Sequence, residues 1–123
     1  MINDYYREEI LEHYKNPRNF GELAKPDKKI EESNPLCGDT IRMTIRLSDK
    51  GKEDIITDVK FTGEGCVLST AAASVVTDYL KGRSLSEVKK IKKEKILELL
   101  GGIEVNPARL KCVLLPLEAL RKI

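Results

Sequence analysis

Thr40-Ile41-Arg42-Met43-Thr44-Ile45-Arg46-Leu47 is the stretch that decides the fold. Ile41, Met43, Ile45 and Leu47 fall on one face of an extended chain, and Thr40, Arg42, Thr44 and Arg46 fall on the other. That period of two belongs to a strand buried on one side only. Ser48 to Asp54 is a polar turn holding Gly51, and Ile55 to Thr62 reads as a second strand with Thr57, Val59 and Phe61 facing one way. The pair predicts an antiparallel hairpin. Lys29 to Ser33 reads as a weaker third strand.

Working outward, the period changes from two to 3.6 at Cys66. Leu68, Ala72, Val75, Val76, Tyr79 and Leu80 predict one apolar stripe of a helix that stops at Gly82. Ala71, Ala72, Ala73 and Ser74 keep that helix slim enough to pack closely on a sheet. Ser84 to Leu100 predicts one or two shorter helices closed by Gly101-Gly102, and Asn106-Pro107 predicts a capped start for the last helix. Pro116 cannot donate to the Cys112 carbonyl, so this helix either kinks or restarts near Leu115. Upstream, Asp4 predicts the cap of a helix through about Tyr14, with Tyr6, Ile10 and Tyr14 stacked, and Pro17 ends it. Strands come early and helices late, an α+β arrangement.

The 123 residues fit a single domain, 1–123, of 41% apolar and 34% charged residues. A net charge of +2 gives no argument for nucleic acid or membrane as a partner. The N-terminal residues lack the apolar core of a secretory signal, and no run approaches the roughly 20 apolar residues of a membrane span. Three cysteines cannot complete a disulfide framework, so a reducing cytoplasmic setting is expected.

Those cysteines are the candidate chemistry. Cys37 precedes the first hairpin strand and Cys66 follows the second, so antiparallel pairing carries both to one end of the sheet although 28 residues separate them. Cys66 opens a helix, where backbone N–H groups and the positive dipole end favour a thiolate. Cys112, with 45 residues between it and Cys66, is expected near the start of the last helix, where the same effect acts more weakly. Asp39 can offer a carboxylate oxygen to the same point. The outcome is a Cys₃Asp constellation. Spacing alone does not specify a metal, because zinc sites usually show paired short spacings, and a free cysteine often only fills space.

Four ordered motifs then carry a family resemblance. Glu12-His13-Tyr14-Lys15-Asn16-Pro17-Arg18-Asn19-Phe20-Gly21 resembles the opening signature of the IscU/NifU family of iron–sulfur cluster assembly scaffolds. Asn34-Pro35-Leu36-Cys37-Gly38-Asp39, Gly63-Glu64-Gly65-Cys66 through Ser74, and Leu110-Lys111-Cys112 are similar to its three cysteine motifs. The resemblance implies a three-stranded antiparallel sheet with helices packed on one face. It implies that Cys37, Cys66 and Cys112 ligate a [2Fe–2S] cluster, and that Asp39 governs how easily the cluster leaves. A hard carboxylate oxygen in place of a soft thiolate gives the physical reason for that lability. The implied partners are a cysteine desulfurase that delivers persulfide sulfur and the acceptor or carrier proteins that receive the cluster. The implied role is that of a scaffold and not of an enzyme.

Two departures qualify the match. Lys111 stands where many members have histidine; it is a poor iron ligand but can lower the pKa of Cys112. This makes Asp39 the preferred fourth ligand, with a partner group as competitor. Lys111 also resembles the basic residue of the zinc-binding SufU branch, so a sulfur acceptor holding Zn²⁺ at the same residues is the alternative reading. That branch carries a longer insertion between the second and third cysteines. Val105-Asn106-Pro107-Ala108-Arg109 replaces a Leu-Pro-Pro-Val-Lys segment, which removes the ground for docking to a dedicated Hsp70-type chaperone. His13 reads as a structural or surface residue of the first helix. Lys89 to Lys95 reads as a solvated face, with docking to an acidic partner as its functional alternative. Tyr5 and Tyr6 are anchoring aromatics or a dimer contact, and homo-oligomerisation stays open.

Overall fold

The strict alternation of residues 40–47 is realised as the central strand of the sheet. The computed structural model describes residues 4–34, 38–48, 54–102, 105 and 107–122. Strand β1 (Lys28–Asn34) and strand β3 (Ile56–Glu64) flank β2 (Asp39–Leu47), all antiparallel, in the order β1-β2-β3. Ile41, Met43 and Ile45 are buried on the helix-covered face. Thr40 pairs with Glu64, and Asn34 with Asp39, so one end of the sheet gathers the start of β2 and the end of β3. The expected turn at Gly51 lies outside the described residues; Ser48 N–H donates to the Ile55 carbonyl at 2.9 Å at that end of the hairpin.

Two features of the sheet depart from simple alternation. Thr57 does not share a face with Val59 and Phe61. The register shifts between Arg46 and Leu47, so Ile56 sits opposite Leu47 and is buried while Thr57 is exposed. One extra residue in a strand turns its own side chain out of phase, and Thr57 Oγ1 donates to the Arg46 carbonyl at 3.1 Å. Thr44, on the expected solvent face, is buried. The chain after the first helix crosses that face, and Leu23 N–H donates to Thr44 Oγ1 at 3.1 Å. On the way, residues 19–21 run along the free edge of β3, with Phe61 N–H donating to Asn19 and Gly21 N–H to Phe61, each at 2.9 Å.

Helix α1 (Asp4–Lys15) includes Asp4 in its first turn instead of leaving it outside as a cap. Ile10 is buried but Tyr14 is exposed, because a four-residue step overshoots a 3.6-residue turn; the Tyr5 and Tyr6 side chains lie outside the described residues. Helix α2 (Val67–Leu80) is the hub, packing against α1, β3 and the later helices. The single predicted stripe is therefore too narrow. Ala71, Ala73, Ser74 and Thr77 are also buried, whereas Leu68, Val75 and Tyr79 stay half-buried. Small side chains let neighbours close on this helix from more than one side.

Helix α3 (Leu85–Val88) opens with a capping box between Ser84 and Glu87, and α4 (Lys93–Leu99) ends at Gly101-Gly102. Lys89, Lys90, Lys92 and Lys93 are exposed, as a solvated face requires. Helix α5 (Pro107–Val113) begins at the expected proline, with its Asn106 cap outside the described residues. Pro116 restarts the chain as α6 (Leu115–Leu120), where it occupies the first turn, the one place a helix tolerates it. Met43, Ile45, Val59, Val76, Leu80, Leu117 and Leu120 form the contact between sheet and helices and are almost fully buried. Each such side chain contributes roughly 1.5–3 kcal/mol. Among the described residues, no helix is long and apolar enough to cross a membrane.

Candidate metal centre

The hairpin register fixes where the candidate ligands go. Asp39 begins β2, and β3 ends at Glu64, two residues before Cys66. Cys66 is the N-cap of α2, and its Sγ accepts the Ser69 N–H at 3.5 Å. The helix thus starts with its thiol over the positive end, as the sequence implies. The third side chain arrives from α5. Cys112 sits in the last turn of that helix, not near the start of a long final one, because the break before Pro116 splits the predicted helix in two. The expected help from a helix N-terminus therefore does not come from α5 itself.

One ligand atom each from Asp39, Cys66 and Cys112 lies within 4.8 Å of the others. Asp39 and Cys112 are buried, at 4% and 5% exposure, and Cys66 is half-buried. Cys37 lies outside the described residues. Asp39 Oδ2 is buried and has no hydrogen-bond partner among the described residues. A buried polar atom without a partner is costly and calls for an explanation. A metal ion meets that need, and two sulfurs with one carboxylate oxygen suit either zinc or an iron–sulfur cluster.

Glycine shapes the centre twice. A Cβ on Gly63 would collide with the Thr40 carbonyl oxygen, so the closest approach of β3 to β2 depends on its absence. A Cβ on Gly65 would collide with Ser69 Oγ and stand 3.4 Å from Asp39 Cγ. Nothing in the cysteine motifs as read from the sequence singles out Ser69. The available signal was its position three residues after the helix-opening Cys66, where a backbone N–H faces the cap.

Lys111 is exposed on α5 and lines a cavity of about 350 Å³ with Glu32, Ser33, Asn34, Leu114, Leu115 and Glu118. His13 lies away from the cysteines and joins α1 to α2. Its Nδ1 is 2.8 Å from Ser74 Oγ, which also accepts the Arg18 N–H at 2.8 Å. Burial, with Arg18 adding to it, holds the His13 pKa below its usual value. Neutral imidazole can accept the serine proton at Nδ1.

A three-stranded antiparallel sheet with helices over one face, and an aspartate and two cysteines converging at its end, defines a class of small metal-handling domains. The family described as the NifU-like N-terminal domain matches residues 5–123, and the chain belongs to that family. It is 37% identical to the zinc-dependent sulfurtransferase SufU of Bacillus subtilis (strain 168), across 98% of this chain and 90% of that protein. It is also 37% identical to the iron–sulfur cluster assembly scaffold protein IscU of Haemophilus influenzae, across 94% of this chain and 90% of that protein. The SufU alignment runs over 137 positions, more than the 123 residues of this chain, whereas the IscU alignment runs over 119. A candidate iron–sulfur cluster assembly scaffold for the SUF system from Fervidobacterium islandicum superposes with a TM-score of 0.79 at 26% identity, covering 94% of this chain and 93% of that one.

Proposed function

We propose that this protein is a scaffold on which a [2Fe–2S] cluster is built from iron and persulfide sulfur and then handed to acceptor proteins. The convergence of Asp39, Cys66 and Cys112 at one end of the sheet, with a buried Asp39 oxygen that has no partner among the described residues, carries the reading. Cys37 completes the proposed ligand set of Cys37, Asp39, Cys66 and Cys112. The cluster is cargo here. A cysteine desulfurase supplies its sulfur, and the scaffold has no turnover of its own. Three thiolates hold the iron firmly, while the single carboxylate is the weak point from which the cluster is lost. Replacing Asp39 by alanine is therefore expected to slow loss of the cluster to an acceptor; faster loss would refute the labile-ligand account.

A second reading has its own support. The likeness to SufU is as high as that to IscU, and the same donor set suits one zinc ion in a sulfur acceptor. The longer SufU alignment weighs against it, because SufU carries segments that this chain lacks.

A further inference from the structure

Asp39 and Ser69 both lie against the place that a side chain at Gly65 would take. Both are buried, at 4% and 6% exposure. The point where a residue-65 Cβ would stand overlaps Ser69 Oγ and lies 3.4 Å from Asp39 Cγ, so the missing side chain is what leaves room for the serine hydroxyl near the Asp39 carboxyl. On one side of it is the carboxylate oxygen that has no partner among the described residues. On the other is a hydroxyl that has a second option.

Ser69 Oγ donates to the Cys66 carbonyl at 3.1 Å, and the same carbonyl accepts the Thr70 N–H at 3.1 Å. The carbonyl therefore keeps a partner if Ser69 turns away, and a serine turns about one side-chain bond. We propose that Ser69 is a positioning residue for release: its hydroxyl swings from the Cys66 carbonyl to the Asp39 carboxylate when Asp39 lets go of the metal. This rests on the reading of Asp39 as a ligand. A carboxylate that leaves a metal inside a buried site must find a donor or remain unpaired at high cost. Ser69 supplies that donor across the Gly65 gap. The detached arrangement becomes less unfavourable, and the cargo leaves faster. No covalent bond changes, and the Ser69 N–H stays on Cys66 Sγ throughout.

The test uses the full chain loaded with Zn²⁺ alone, with release timed by a chromophoric chelator and folding checked by circular dichroism. Ser69→Ala is expected to slow release about tenfold, the size of one hydrogen bond to a charged group. Ser69→Thr, which keeps the hydroxyl, is expected to restore the wild-type rate. In the Asp39→Ala background, adding Ser69→Ala is expected to change nothing further, because Ser69 acts only through Asp39. Wild-type release in Ser69→Ala, or equal slowing in the Asp39→Ala background, overturns the proposal while leaving Asp39 as a ligand. Wild-type release in Asp39→Ala removes the ligand reading itself, and the proposal falls with it.

Discussion

Gly63→Ala tests whether the close approach of β3 to β2 is what assembles the metal centre. The new Cβ would collide with the Thr40 carbonyl oxygen and stand 3.1 Å from both Thr40 C and Ile41 Cα. All three are backbone atoms, so no side-chain rotation relieves the overlap. The end of β3 must move off β2 instead. Overpacking of this kind costs about 1–3 kcal/mol, and each ladder hydrogen bond lost adds about 1 kcal/mol. We expect a total near 3 kcal/mol, read as a lower urea midpoint and a melting temperature roughly 10 °C lower. The displaced end carries Cys66 away from Asp39, so zinc affinity is expected to fall as well, by about tenfold or more. Gly65→Ala is the milder comparison, since its Cβ meets the Ser69 side chain, which can turn. A Gly63→Ala protein with the wild-type urea midpoint and unchanged zinc affinity would refute this account of how the site is built.

Three further outcomes follow from the same geometry. Gly65→Ala places a methyl group against Ser69 Oγ and displaces that hydroxyl from the Cys66 carbonyl, so it is expected to cost about 1 kcal/mol by urea denaturation. His13 has its folded pKa below the usual 6.5, so the unfolded chain binds the proton more readily. Its contribution is fully present above pH 6.5 and is lost as pH falls through that value toward the lower folded pKa. Urea midpoints measured across this range should decline on acidification and decline less in His13→Asn. Leu117, only 2% exposed in the sheet–helix contact, is expected to cost about 2–5 kcal/mol when cut to alanine, measured by the same denaturation.

Much of this was legible in the sequence because two periodicities were strong. Residues 40–47 alternate so cleanly that the face of β2 could be assigned, and the hairpin placed Cys66 at the Asp39 end without any structure. The position of Cys66 as a helix cap was equally plain. Thr57 was not, because a one-residue register shift leaves no trace in an alternating pattern. Thr44 was misread for a different reason: its burial depends on Leu23, contributed by a loop without periodicity. Pro116 left two outcomes open, and the choice of a new helix moved Cys112 from a helix start to a helix end. The Gly65 gap was out of reach, since it arises from three segments meeting in space.

Metal and sulfide analysis of the protein prepared without oxygen tests the central claim most directly. The account predicts iron and acid-labile sulfide in equal amounts, with the visible absorption of a [2Fe–2S] cluster that is lost when Cys66 is replaced by serine. A preparation holding one zinc ion per chain and no sulfide, even after incubation with iron and a cysteine desulfurase, would contradict it.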